Sequence, residues 1–267
     1  MVDGDDGHGN DRGPRLTIST AALLFVAAII GGAINAVAGG GSFLCFPALL
    51  LAGIPPIAAN ATNTIALWPG SVASTVAYRR ELRGMHRELV ALGLASLAGA
   101  WAGAALLLRT SSRLFVLFIP WLLLFATLVF AFGGAIGRRL IRDARAPLGL
   151  AVIVQSAIAV YGGYFGGGMG IMMLAVLSFL GMSELHRMNA LKTVLATTIN
   201  GVAVVVFIAA HAVAWTPGLI MVVGGVAGGY GGAAMARRVD PRTVRRLVLA
   251  IAWATTLYFF AKTYAWV

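Results

Sequence analysis

Gly39-Gly40-Gly41-Ser42-Phe43-Leu44-Cys45-Phe46-Pro47-Ala48-Leu49-Leu50-Leu51-Ala52-Gly53 is the stretch on which the fold turns. Past the glycine triplet it is apolar, but it closes at Gly53. That leaves roughly 12 residues, where a helix needs roughly 20 to cross a hydrocarbon core about 30 Å thick. Longer apolar runs flank it: residues 16–38 before it and, past Pro55-Pro56, residues 57–78 after it. The arrangement returns later in the chain. Residues 147–165 lead to Gly166-Gly167-Gly168, a second short run closes at Gly181, and residues 187–210 follow. A run too short to span, opened by three glycines and set between longer ones, reads as one arm of a hairpin that returns to its own side.

Four further runs, 88–108, 114–137, 216–236 and 244–264, complete two sets of five. Displaced by 129 residues, Asn60-Ala61-Thr62-Asn63-Thr64 falls on Asn189-Ala190-Leu191-Lys192-Thr193. The same displacement puts Gly99, Gly103, Ala104, Ala105, Arg109 and Arg113 on Gly228, Gly232, Ala233, Ala234, Arg238 and Arg242. The glycine triplets align at 127, so the linker after the second is two residues longer. Backbone amides left bare in lipid demand helices, because the strand alternation of an outer-membrane barrel is absent. The expected fold is therefore all-α: a polytopic helical membrane protein of two inverted repeats, each with a short Gly-broken hairpin segment. Residues 1–15, polar, acidic and Gly-rich, read as a disordered tail with no signal peptide. The first repeat takes 16–146 and the second 147–267, together one integral membrane domain.

Composition agrees. The chain is 60% hydrophobic and 11% charged, against roughly 25% charged residues in a soluble domain. Its net charge of +11 does not point to nucleic acid, because the arginines lie in short loops between apolar runs. Arg79, Arg80, Arg83 and Arg87 follow the third run. Arg138, Arg139, Arg142 and Arg145 follow the fifth, and Arg237, Arg238, Arg242, Arg245 and Arg246 the ninth. The alternate loops carry Arg109 and Arg113, or nothing at 211–215. The positive-inside rule makes the rich loops cytoplasmic. Hairpin geometry for both short runs keeps all of them inside, gives each repeat an odd number of crossings and puts both termini outside. The halves then lie antiparallel, as in many secondary transporters. The lone cysteine, Cys45, excludes an intrachain disulfide and a thiolate cluster.

Three glycines at the end of an apolar helix can break it, let another helix approach, or bare backbone N–H groups at the start of the next half-helix, where an anion binds. The shortness of both following runs and their recurrence favour a binding site at Gly39, Gly40, Gly41 and Ser42, and at Gly166, Gly167 and Gly168. Asn189, Lys192 and Thr193 share one helical face, with Asn200 three turns on; Asn60, Asn63, Thr64 and Ser71 hold the matching places, with Thr62 among them. Lys192 either snorkels to the cytoplasmic interface or is the fixed charge facing an anion. Asn35, one turn before the first triplet, and Gln155 either line the site or bond a neighbouring helix. Glu184, His186 and Arg187 read as an interfacial charge cluster; Gly99, Gly103, Gly224, Gly228 and Gly232 read as helix packing. His8, His86 and His211 form no metal set. No cofactor is implied, because no strand precedes the Gly-rich runs as a dinucleotide fingerprint requires.

The stretches 32–42, Phe46-Pro-Ala-Leu-Leu50, Ala61-Thr-Asn-Thr64 and Tyr78-Arg-Arg-Glu-Leu82 resemble the sulfite exporter TauE/SafE family. So do Gly166–Gly168, Asn189-Ala-Leu-Lys-Thr193, Asn200, Phe207, Val213-Ala-Trp215 and Gly228-Gly-Tyr-Gly-Gly-Ala233 in the second half. The resemblance implies a multi-pass inner-membrane transporter without ATPase domains that moves sulfite, an organosulfonate or another sulfur-containing anion. The expected partners are a small anionic substrate, membrane lipid and a coupling proton or ion. A homo-oligomer stays open. A non-transporting scaffold or assembly subunit is the alternative, but a scaffold has no need for matched Asn, Lys and Thr inside a bilayer. A membrane-embedded enzyme fits less well, since no nucleophile–base pair is visible.

Overall fold

A computed structural model of the chain describes residues 17–37, 40–140, 146–182, 184–235 and 241–264. Among them it forms ten helices and no strand. These are α1 (Ile18–Val37), α2 (Ser42–Leu51), α3 (Pro56–Ala77), α4 (His86–Arg109), α5 (Ser112–Leu140), α6 (Leu148–Tyr164), α7 (Met169–Phe179), α8 (Leu185–Ala209), α9 (Trp215–Met235) and α10 (Pro241–Tyr264). Each expected run is one helix, with ends moved by at most three residues. Helices α1, α4, α5, α8 and α10 each contain a stretch long and apolar enough to cross a membrane. Leu94, Trp101, Ile153, Val205 and Leu219 point outward; lipid is the environment in which such an apolar exterior is stable. The protein is a polytopic helical membrane protein.

The two short runs become α2, of 10 residues, and α7, of 11. The amide of Ala146, just before α6, donates to the carbonyl of Phe179, the last residue of α7, at 2.7 Å. Helix α7 therefore ends at the level where α6 begins, which is the hairpin its length demands. Arg187 at the head of α8 donates to the carbonyl of Arg83 at 3.4 Å and pairs with Glu184 at 4.0 Å. The α7–α8 linker and the arginine-bearing turn after α3 thus share one face of the protein. Helix α4 separates this face from Arg113.

Two helix pairs, α3 with α8 and α5 with α10, cross antiparallel. On α3 and α8, Trp68 Nε1 donates to Thr197 O at 3.1 Å, and Thr75 Oγ1 lies 2.8 Å from Thr197 Oγ1. Gly201, further along α8, rests against the Trp68 ring. On α5 and α10, Thr127 Oγ1 meets Thr256 Oγ1 at 3.1 Å. Trp121, earlier on α5, donates to Tyr264 at the end of α10. Trp68 with Thr197 and Thr127 with Thr256 are each 129 residues apart, so positions paired by the sequence displacement touch directly.

The closest helix contacts are built on small residues. A Cβ on Gly228 would fall on the carbonyl oxygen of Ile29, and one on Gly32 on that of Gly225, joining α9 to α1. A Cβ on Gly103 would fall on Val160 O and one on Gly163 on Ala100 O, joining α4 to α6. The packing reading of Gly99, Gly103, Gly224 and Gly228 holds at these positions; the surroundings of Gly232 lie outside the described residues.

One expectation needs correction. Arg87, Arg138, Arg139, Arg242, Arg245 and Arg246 are expected in loops, but α4 begins at His86, α5 runs to Leu140 and α10 begins at Pro241, which suits the first position of a helix, so all six ride on helices. Arg245 Nη2 reaches across to α5 and donates to Phe130 O at 3.2 Å and Ala131 O at 2.9 Å. Arg142, Arg145, Arg237 and Arg238 lie outside the described residues.

Candidate functional site

Helix α3 starts on Pro55-Pro56, whose fixed φ suits a helix start, and its first turns carry Asn60 and Asn63 inward. Asn60 is 1% and Asn63 2% exposed. Asn63 Nδ2 donates to Ser42 Oγ, at the first residue of α2, at 3.2 Å. Asn60 Nδ2 donates to the carbonyl of Tyr164, the last residue of α6, at 3.1 Å. The head of one hairpin and the tip of the other therefore meet on α3. Phe46 of α2 packs edge-on against Phe165 at 5.5 Å and closes the same junction.

The first triplet has two jobs. A Cβ on Gly41 would fall on the carbonyl oxygen of Gly31, so this glycine allows α1 and α2 to touch; Asn35 borders the same spot, with its Cβ 3.1 Å from that position. Gly40 faces Val248 and Phe130. Gly39 lies outside the described residues. In the second triplet, Gly166 (φ +82°) and Gly168 (φ +75°) are left-handed, a conformation that costs other residues roughly 1–2 kcal/mol. Tyr161 Oη donates to Gly167 O at 2.6 Å and pins the turn. No described backbone group accepts from the amides of Gly167 or Gly168, which open α7. Gly168 abuts Ala126 and Gly40 abuts Phe130, one turn apart on α5, so both glycine breaks lean on the same segment.

Lys192 lies half-buried on α8. Its stem crosses the first turn of α7, with Cδ 3.5 Å from where a Gly170 Cβ would sit. Its Nζ donates to Asn189 Oδ1 at 3.2 Å. An ammonium has three donors, so this bond leaves two. Thr64 Oγ1 donates to Asn60 O at 2.9 Å, and Thr193 Oγ1 to Asn189 O at 2.7 Å. Both hydroxyl protons are spent on their own helices. Thr62 Oγ1 accepts from the amide of Ala214 at 3.0 Å and caps the entry to α9. Asn200 is eight residues beyond Lys192, about 12 Å along the helix, beside the Gly201–Trp68 contact. Gln155 Nε2 donates to Ser96 Oγ at 2.9 Å, a buried bond between α6 and α4.

The structure thus builds two stations rather than one cluster. Asn63 precedes Trp68 by five residues and Lys192 precedes Thr197 by five. Since α3 and α8 cross antiparallel at that pair, the stations lie on opposite sides of the crossing, roughly 15 Å apart at 1.5 Å rise per residue. One holds two neutral amides at the tip of α6; the other holds an ammonium and an amide at the head of α7. Sequence reasoning missed Tyr161 and Tyr164. Their counterparts under the triplet displacement of 127 are Ile34 and Val37, so the repeat offers no signal for them; the departure of tyrosine from the apolar pattern beside a triplet was the available one. It also placed Arg245 in a loop, when its guanidinium sits on α5 beside Phe130.

Among the described residues, ten helices, two non-spanning hairpin arms and polar side chains at the helix breaks have the plan of a membrane transporter. Residues 24–259 match the family model described as Sulfite exporter TauE/SafE. The chain belongs to this family. It is 30% identical over 247 residues to "Probable membrane transporter protein ORF9" of Sinorhizobium sp, covering 92% of this chain and 94% of that one. It is 27% identical to a "Probable membrane transporter protein" of Haemophilus influenzae over 90% and 94% of the two chains. To the "Probable membrane transporter protein YfcA" of Escherichia coli K12 it is 26% identical over 86% and 85%. No solved structure matches.

Proposed function

We propose that this protein is a secondary transporter of a small sulfur-containing anion, sulfite or an organosulfonate, working in the cell's inner membrane by alternating access between two inverted halves. The observation that carries the reading is the head of α7: bare amides at Gly167 and Gly168, at the positive end of a helix that stops inside the membrane, with the stem of Lys192 crossing that helix's first turn at Gly170. Helix N-termini and fixed cations both favour anions. Support for inversion comes from the antiparallel crossings of α3 with α8 and α5 with α10, at pairs 129 residues apart.

A thermal-shift screen of purified protein against sulfite, thiosulfate, sulfate, sulfoacetate and small carboxylates tests the ligand class. Stabilisation by sulfite or a sulfonate well above that by carboxylates is expected. A flat response across all anions would sink the reading and favour a scaffold.

Orientation has its own test. On a Cys45→Ala background, Arg83→Cys is expected to react with an impermeant thiol reagent only after the membrane is opened, and Arg113→Cys in intact cells. The reverse pattern would turn the protein over in the membrane.

A further inference from the structure

The two stations carry different charge, and the difference assigns a second ligand. Under the displacement of 129, Asn60 matches Asn189 and Asn63 matches Lys192. In the second half the Asn189 amide oxygen accepts from the Lys192 ammonium. In the first half both NH₂ groups are committed, Asn60 to Tyr164 O and Asn63 to Ser42 Oγ, and both Oδ1 atoms are buried and accept no hydrogen bond from any described residue. A carbonyl can only accept, so the bond to Tyr164 O forces the Asn60 oxygen to point the other way. Asn60 and Asn63 lie one turn apart on one face of α3, and an unpartnered buried acceptor costs roughly 1–3 kcal/mol. The Asn189 oxygen that Lys192 satisfies has as its first-half counterpart the bare Asn60 oxygen, and the residue in the place of Lys192, Asn63, adds a second bare oxygen.

We propose that a monovalent alkali cation of sodium size binds between Asn60 Oδ1 and Asn63 Oδ1, as the counterpart of the Lys192 ammonium. The ligands are neutral amides, and the described residues hold no group of three or more Asp, Glu, His or Cys. Calcium and magnesium sites rest on carboxylates, so the donor set selects a single charge. This rests on the transport reading above and deepens it: a cation at one station and an anion at the other would make the sodium gradient the driving force.

The test is binding of radiolabelled sodium to the purified full-length protein in choline chloride, with no other anion added. Saturable binding is expected, displaced by unlabelled sodium and not by choline. Asn63→Lys supplies the ammonium in place and is expected to abolish it. Asn63→Asp adds a formal charge and is expected to tighten it about tenfold. Absence of saturable binding in the wild type overturns the proposal, as does unchanged binding in Asn63→Lys. If Asn63→Lys fails to fold, Asn63→Asp decides, and no tightening there overturns it. Sulfite affinity measured in choline salt reports the Lys192 station separately. Intact sulfite binding without sodium binding defeats the cation site alone, whereas sodium binding without any anion binding defeats the anion reading alone.

Discussion

Replacing Lys192 by methionine is expected to weaken sulfite binding roughly ten- to a hundredfold, which is about 1–3 kcal/mol. A unit charge about 4 Å from an anion contributes roughly 4 kcal/mol at an effective dielectric near 20, and desolvation offsets much of it. Methionine keeps the stem that packs over Gly170 and removes only the ammonium and its bond to Asn189. Lys192→Arg is expected to recover the loss in part, because a planar fork does not reproduce a compact ammonium beside Asn189. A lysine that merely snorkels predicts the other pattern, with affinity unchanged in both variants. Calorimetric titration of wild type, Lys192→Met and Lys192→Arg separates them. An unchanged dissociation constant in Lys192→Met leaves the amides of Gly167 and Gly168 as the anion-binding device.

The second large effect is on folding. Gly228→Leu and Gly103→Leu are each expected to eliminate monodisperse, folded protein. Overpacking a core costs typically about 1–3 kcal/mol when side chains can shift, but here the added carbon meets a backbone oxygen, Ile29 O in one case and Val160 O in the other. A carbonyl in a helix cannot move aside alone, so two helices must separate. A protein held by roughly 5–15 kcal/mol in total does not survive much of that. Gly93→Leu is the control: nothing lies within 4 Å of its would-be Cβ, and folded yield is expected to match wild type. Size-exclusion profiles and thermal midpoints of the three variants supply the readout. Normal midpoints for both interface variants would mean that α1–α9 and α4–α6 are not in close contact.

Helix positions, the two non-spanning arms and the small-residue contacts were legible in the sequence, because each depends on length, polarity or size read locally. An apolar run of a given length in lipid has one stable backbone form, and α2 and α7 are too short for any register to turn them into spans. The glycines at 103 and 228 advertise close packing by lacking a side chain, whoever the neighbour is. What the local pattern does not carry is the identity of the neighbour.

Only the tertiary structure brought Asn60 to the tip of α6, 104 residues away, sent Arg245 onto α5, spent the hydroxyls of Thr64 and Thr193 on their own helices, and set Asn63 and Lys192 on opposite sides of the α3–α8 crossing. The reason is physical. Lipid supplies almost no force that distinguishes one apolar helix face from another, so partners are chosen by close van der Waals fit and by hydrogen bonds between residues far apart in the chain. Which Asn oxygen is left without a donor depends on that fit, down to the 3.1 Å and 3.2 Å bonds that turn the two amides of α3.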